Sequence, residues 1–142
     1  MKTEAKSPAP PNAQAEAVIL QFLPGWCTVQ KGDIRRGGEL LVEYDPARLP
    51  RCRLNWHGAE VWDIEACIKF HPGGQLYSGS VLEKIRKDGM VVQLVPRAYE
   101  VLVPSDATEV ELWFRNFFDV SSACEAWDSR YGQNYRYEVV QG

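Results

Sequence analysis

The sequence predicts an all-β domain, an antiparallel β-sandwich of eight or nine strands, and three observations lead there. From Ala17 onward apolar residues recur with period two in short runs, the spacing that sends successive side chains to opposite faces of a sheet. Gly, Pro, Asp and Asn separate the runs at roughly ten-residue intervals, as turns between short strands require. Helical periodicity is nearly absent. Antiparallel sheets bury one face and wet the other, which matches half-apolar runs better than the continuous apolar runs of a parallel sheet.

Residues 1–16, MKTEAKSPAPPNAQAE, carry three prolines and no apolar period, so they bury too little to offset their ordering entropy and are expected to form a flexible tail. The domain proper is expected over residues 17–142. Leu40, Val42 and Tyr44 alternate with Glu39, Leu41 and Glu43 in a strand preceded by the turn-forming Gly37-Gly38. Cys52, Leu54 and Trp56 alternate with Arg51, Arg53, Asn55 and His57. Trp62, Ile64, Ala66, Ile68 and Phe70 alternate with Val61, Asp63, Glu65, Cys67 and Lys69, and the two runs bracket His57–Glu60 as a hairpin. His71-Pro72-Gly73-Gly74 is a second turn, with Gln75 to Lys84 returning antiparallel. Lys87-Asp88-Gly89 is a third, and the apolar run Met90 to Val95 fits a strand covered on both faces. Tyr99, Val101 and Val103 form the next inward row, followed by Val110, Leu112 and Phe114, whose outward neighbours are Glu109, Glu111, Trp113 and Arg115. Tyr135, Tyr137 and Val139 close the domain. The only helical turns expected lie near Pro46 to Leu49 or Ser121 to Ala126.

The 142 residues, 45% hydrophobic and 25% charged, suffice for one domain with a core and are too few for two. Sixteen basic against nineteen acidic residues leave a net charge of −3, so no broad cationic surface exists for phosphates and nucleic acid is not expected as a partner. No window approaches the roughly 18 apolar residues that span a bilayer, so no membrane partner is expected either. The start MKTEAKSPAP lacks the apolar stretch of a secretory signal. A cytoplasmic location follows, and a mature secreted form would read the same way. Cys27, Cys52, Cys67 and Cys124 lie far apart without a Cys-x-x-Cys pair, and in a reducing compartment they are expected as free thiols, although an even number permits two disulfides.

The segment Glu109–Asn116, followed by Cys124-Glu-Ala-Trp127-Asp128-Ser-Arg-Tyr-Gly132-Gln-Asn134-Tyr135, carries a resemblance. A strand ending in an aromatic-Asp pair, a polar loop, and Asn-Tyr opening the last strand resembles the C-terminal signature of the starch- and glycogen-binding carbohydrate-binding modules of family twenty-one. That resemblance implies an immunoglobulin-like sandwich in which Trp127 stacks on sugar, Asp128 and Asn134 brace the loop, and Tyr135 is the first inward residue of the closing strand. Together with Tyr44–Arg53 and the Trp62 strand, the chain also resembles a bacterial family of uncharacterised function.

Sugar binding has a physical case apart from any family. A pyranose offers an apolar C–H face and a rim of hydroxyls, so its site needs an exposed flat ring beside planar polar groups. Trp127 with Asp128, Arg130, Tyr131, Gln133 and Asn134 supplies both, and the outward Trp113 adds a second indole. The competing interpretation puts Trp127 in the core, Asp128 and Asn134 on turn backbone, and Arg130 in solvent. A different class of function, a protein-interaction or assembly subunit, would use an outer apolar patch of Trp113, Leu41, Leu102 and Val140 to dock another chain or a second copy.

Catalysis is not expected. There is no Gly-x-Ser-x-Gly elbow, no phosphate loop, and only two histidines, neither in a nucleophile motif. Asp63 and Glu65 share a strand face, but cross-strand pairing with Arg51 and Arg53 accounts for them. No cofactor or metal is expected. Cys52, His57, Cys67 and His71 imitate a zinc set, yet strand parity opposes it, and the loop acids Asp45, Asp119, Glu125 and Asp128 lack an Asp-x-Asp-x-Asp pattern for calcium. The expected activity is therefore binding, with an oligosaccharide or polysaccharide as the leading ligand class.

Overall fold

The computed structural model describes residues 17–142, and the segment expected to be a tail lies outside the described residues. In chain order the strands are β1 (Val18–Leu23), β2 (Cys27–Lys31), β3 (Glu39–Tyr44), β4 (Asn55–Trp56), β5 (Ala59–Glu60), β6 (Asp63–His71), β7 (Leu76–Ser80), β8 (Leu82–Lys87), β9 (Met90–Pro96), β10 (Tyr99–Leu102), β11 (Glu109–Val120), β12 (Ser122–Asp128) and β13 (Tyr135–Glu138). A single 3-10 turn, Pro46–Arg48, follows β3 and is capped by the Asp45 side chain. Ser121 to Ala126, the other expected helical turn, instead opens β12.

Two sheets face each other. One has the order β10-β3-β1-β2 and the other β12-β11-β6-β7, with β13 also on β11. β12 pairs with Phe114–Val120 and β13 with Glu109–Leu112, so the two share one side of the long β11. Strand pairing is antiparallel except between β1 and β3, which run parallel, and an isolated parallel bridge joins Arg35 to Val140. The inward rows of both sheets make one core: Leu20 and Phe22 from β1, Leu40, Val42 and Tyr44 from β3, Ile64, Ala66, Ile68 and Phe70 from β6, and Val110, Leu112 and Phe114 from β11. Each large apolar side chain buried there contributes about 1.5–3 kcal/mol.

Some expected runs behave differently. Met90–Val95 is not covered on both faces: β9 pairs only with β8 in a separate ribbon, where Met90 and Val92 are exposed. The chain leaves the large sheet at Ser80, whose hydroxyl accepts from the Leu82 N–H and donates to Asp63, so β8 begins on a new course. The Cys52–Trp56 run shrinks to the two-residue ladder β4–β5, with Trp56 exposed. Cys52 is joined to Cys124, with the Cα atoms 5.3 Å apart, so the expectation of four free thiols is corrected: only Cys27, exposed, and Cys67, half-buried, remain free.

Candidate functional site

Strand alternation decides where the C-terminal residues go. In β12 Ala126 and Asp128 are buried, so Glu125 and Trp127 face outward. Trp127 is 52% exposed. Directly opposite it on β11 stands Arg115, whose guanidinium lies 5.9 Å from the Trp127 ring centroid and 3.9 Å from that of Phe117. Glu125 and Glu65 hold that guanidinium from either side, the latter at 3.4 Å. A cleft of ≈ 310 Å³ opens on this sheet, lined by Arg115, Phe117, Phe118, Asp119, Ala123, Cys124 and Glu125. Trp113 lies on the same outer face, half-buried, in register with Cys67. Burial, with the Glu65 charge, pushes the Cys67 thiol up to about 11, which leaves it protonated and unreactive near neutrality.

Asp128 goes the other way. It accepts hydrogen bonds from the Tyr44 hydroxyl at 2.7 Å, the Tyr135 hydroxyl at 2.6 Å and Arg48 Nε at 3.0 Å. The Arg48 and Asp128 side chains are 1% and 2% exposed. The expectation that Asp128 bonds ligand hydroxyls is therefore corrected: a residue adjacent to an outward Trp127 must point inward, and its oxygens are occupied there. Burial first, and the Asp128 carboxylate second, push the Tyr135 phenol up to about 12 and the Tyr44 phenol further. Both stay protonated donors across the physiological range.

The loop between β12 and β13 is held by short-range bonds. Asn134 N donates to Ser129 O at 2.6 Å and Gly132 N to Ser129 Oγ at 3.1 Å. Arg130, Tyr131 and Asn134 take the left-handed backbone region, with φ of 50°, 58° and 62°. Asn134 adopts this conformation readily, whereas Arg and Tyr do so uncommonly. The Asn134 side chain donates to Glu111 Oε2 at 2.6 Å rather than facing solvent, so its expected ligand role is corrected as well. Burial alone would raise the Glu111 carboxyl, but bonds from Asn134 and His71 and the Arg136 charge outweigh it and hold it below the usual carboxylate range.

Arg130, Tyr131 and Gln133 are exposed, Tyr131 by 93%. The Tyr131 ring stacks on Trp26, at 6.4 Å between centroids and 30° between planes. Trp26, 68% exposed, was not among the residues expected to bind. A signal existed in Pro24-Gly25-Trp26: an indole directly after a Pro-Gly turn sits at a loop tip and cannot join an inward row.

The remaining expectations separate clearly. Leu41 and Leu102 lie on the β10-β3-β1-β2 sheet and Trp113 on the other, so Trp113, Leu41, Leu102 and Val140 do not form one patch. Asp63 accepts from Ser80 and Glu65 pairs with Arg115, whereas Arg53 donates to Pro46 O and covers Trp62 at 4.4 Å. The proposed pairing of these acids with Arg51 and Arg53 is thus replaced by other partners. Cys52 is spent in the disulfide and is no metal ligand.

Comparison with known families matches residues 12–140 to the family described as "Family of unknown function (DUF6209)". The chain belongs to that family, in line with the whole-chain resemblance, and the resemblance to the starch-binding modules gains no support from it. No curated protein and no solved structure matches the chain.

Proposed function

We propose that this member of the family is a non-catalytic module that binds a carbohydrate by stacking a pyranose on Trp127. The observation that carries the reading is a half-exposed indole on an open sheet face, with the Arg115 guanidinium 5.9 Å from its ring centroid and itself held by Glu125. The ring offers apolar area to the C–H face, and the guanidinium and carboxylate offer a donor and an acceptor to the hydroxyl rim. Both polar groups are already held by the Arg115 network, so little side-chain entropy is lost when sugar binds. Trp113 extends the same face toward Cys67. We further propose that the module works in an oxidising compartment, outside the reducing cytoplasm first expected, because a disulfide such as Cys52–Cys124 persists there.

A second reading, docking of another protein, is favoured by one feature: the β8–β9 ribbon exposes Ile85, Met90 and Val92 away from both sheets. Titration of a glycan panel against intrinsic tryptophan fluorescence separates the two. Quenching that Trp127→Ala removes supports sugar binding. Silence across the panel, with a concentration-dependent rise in mass by light scattering, replaces it with the docking reading.

A further inference from the structure

We propose a second carbohydrate subsite, formed by Trp26 and Tyr131 at the end of the sandwich; its ligand class rests on the function proposed above. The two rings come from unrelated turns, β1–β2 and β12–β13, and meet in a stacked arrangement while remaining 68% and 93% exposed. Such placement gains little for folding. An exposed Tyr131 buries almost nothing, yet its backbone and that of Arg130 are held in the left-handed region that these residues seldom adopt.

Side-chain hydrogen bonds hold the turn beneath Trp26. Arg48 Nη1 donates to Leu23 O at 2.7 Å and Cys27 O at 3.1 Å, bracketing the turn that carries the indole. Its guanidinium carbon lies 5.5 Å from the Trp26 ring centroid, and Asp128 and Tyr135 fix the other nitrogens. One buried cation therefore sets the height of the ring and leaves it accessible. Arg130 and Gln133, both exposed in the same loop, provide a polar rim. In this proposal one oligosaccharide crosses from the outer face, where Trp127 lies, to the sandwich end that carries Trp26 and Tyr131.

The test uses the full chain with linear gluco-oligosaccharides of one to seven units, titrated by calorimetry. Wild type is expected to gain affinity with chain length. Trp26→Ala and Tyr131→Ala are each expected to weaken the longest probe roughly three- to tenfold while leaving the single-unit affinity unchanged, as loss of one stacking contact requires. Thermal melts of both variants should match wild type, since neither ring is in the core. If both variants titrate as wild type and Trp127→Ala alone loses binding, the second subsite is overturned and the function above stands. If Trp127→Ala titrates as wild type and Trp26→Ala loses binding, the subsite stands and the Trp127 reading falls. Absence of binding by wild type to every member of the series overturns both.

Discussion

Replacing Asp128 by Asn tests whether the sandwich end is organised by one buried charge pair. The carboxylate accepts from two phenols and from Arg48 Nε, and both charged side chains are almost wholly out of solvent. In Asp128→Asn the amide keeps the shape but turns one acceptor into a donor, aimed at groups that are themselves donors. Arg48 then stays buried without a counter-charge. Breaking such a pair by removing one partner costs about 3–5 kcal/mol, a large part of the roughly 5–15 kcal/mol that holds a domain folded. Urea denaturation followed by far-UV circular dichroism reads the loss directly. The double variant Arg48→Met with Asp128→Leu removes both charges, so it should be less destabilised than the sum of the two single variants, with a coupling of about 1–3 kcal/mol. Because Arg48 also brackets the Trp26 turn, tryptophan emission should shift to the red in Asp128→Asn before global unfolding. A loss below about 1 kcal/mol, the range of an exposed ion pair, would refute the reasoning.

Two further outcomes follow from the same geometry. Tyr44 and Tyr135 are protonated in the fold at pH values where free phenols, with a pKa near 10, ionise; their stabilisation is complete below that pH and is lost as pH rises toward the folded values, about 12 for Tyr135 and higher for Tyr44. Unfolding free energy should fall by about 1.4 kcal/mol per pH unit for each phenol above pH 10, Tyr44→Phe should halve that slope, and a flat profile from pH 10 to 12 contradicts the assignment. The Cys52–Cys124 bond closes a loop with a sequence separation of 72, so Cys124→Ser or reductant should lower stability by roughly 4 kcal/mol on the loop-entropy account. Equal denaturation midpoints with and without reductant would count against the bond.

The inward rows were legible because period-two alternation is a local property of the chain. Ile64, Ala66, Ile68 and Phe70, and Val110, Leu112 and Phe114, are buried where alternation put them. What alternation does not encode is which sheet a strand joins, since partners are distant in sequence. Met90–Val95 has the composition of a covered strand, but the ladder it joins is β8 alone, so Met90, Val92 and Gln93 are exposed and none of the run is fully buried. Trp113 and Leu102 both read as outward and both face away from the core, yet they lie on opposite sheets. Cys52 and Cys124, whose residues are 72 apart in sequence, illustrate the same blindness in covalent form.

The candidate site adds a sharper point about parity. A ligand platform drawn from adjacent strand residues contradicts the geometry of the strand, because Trp127 on the outer face forces Asp128 into the core. Only after β12 ends can the chain return side chains to solvent on its own terms, and it does so with left-handed residues at Arg130 and Tyr131. Asp128 instead anchors Arg48. Through Arg48 it reaches the turn that carries Trp26, so a buried carboxylate on one sheet orders an exposed indole on the other. Sequence proximity linked Trp127 to Asp128, whereas the physical linkage runs from Asp128 to Trp26, and that connection exists only once the two sheets have closed on a common core.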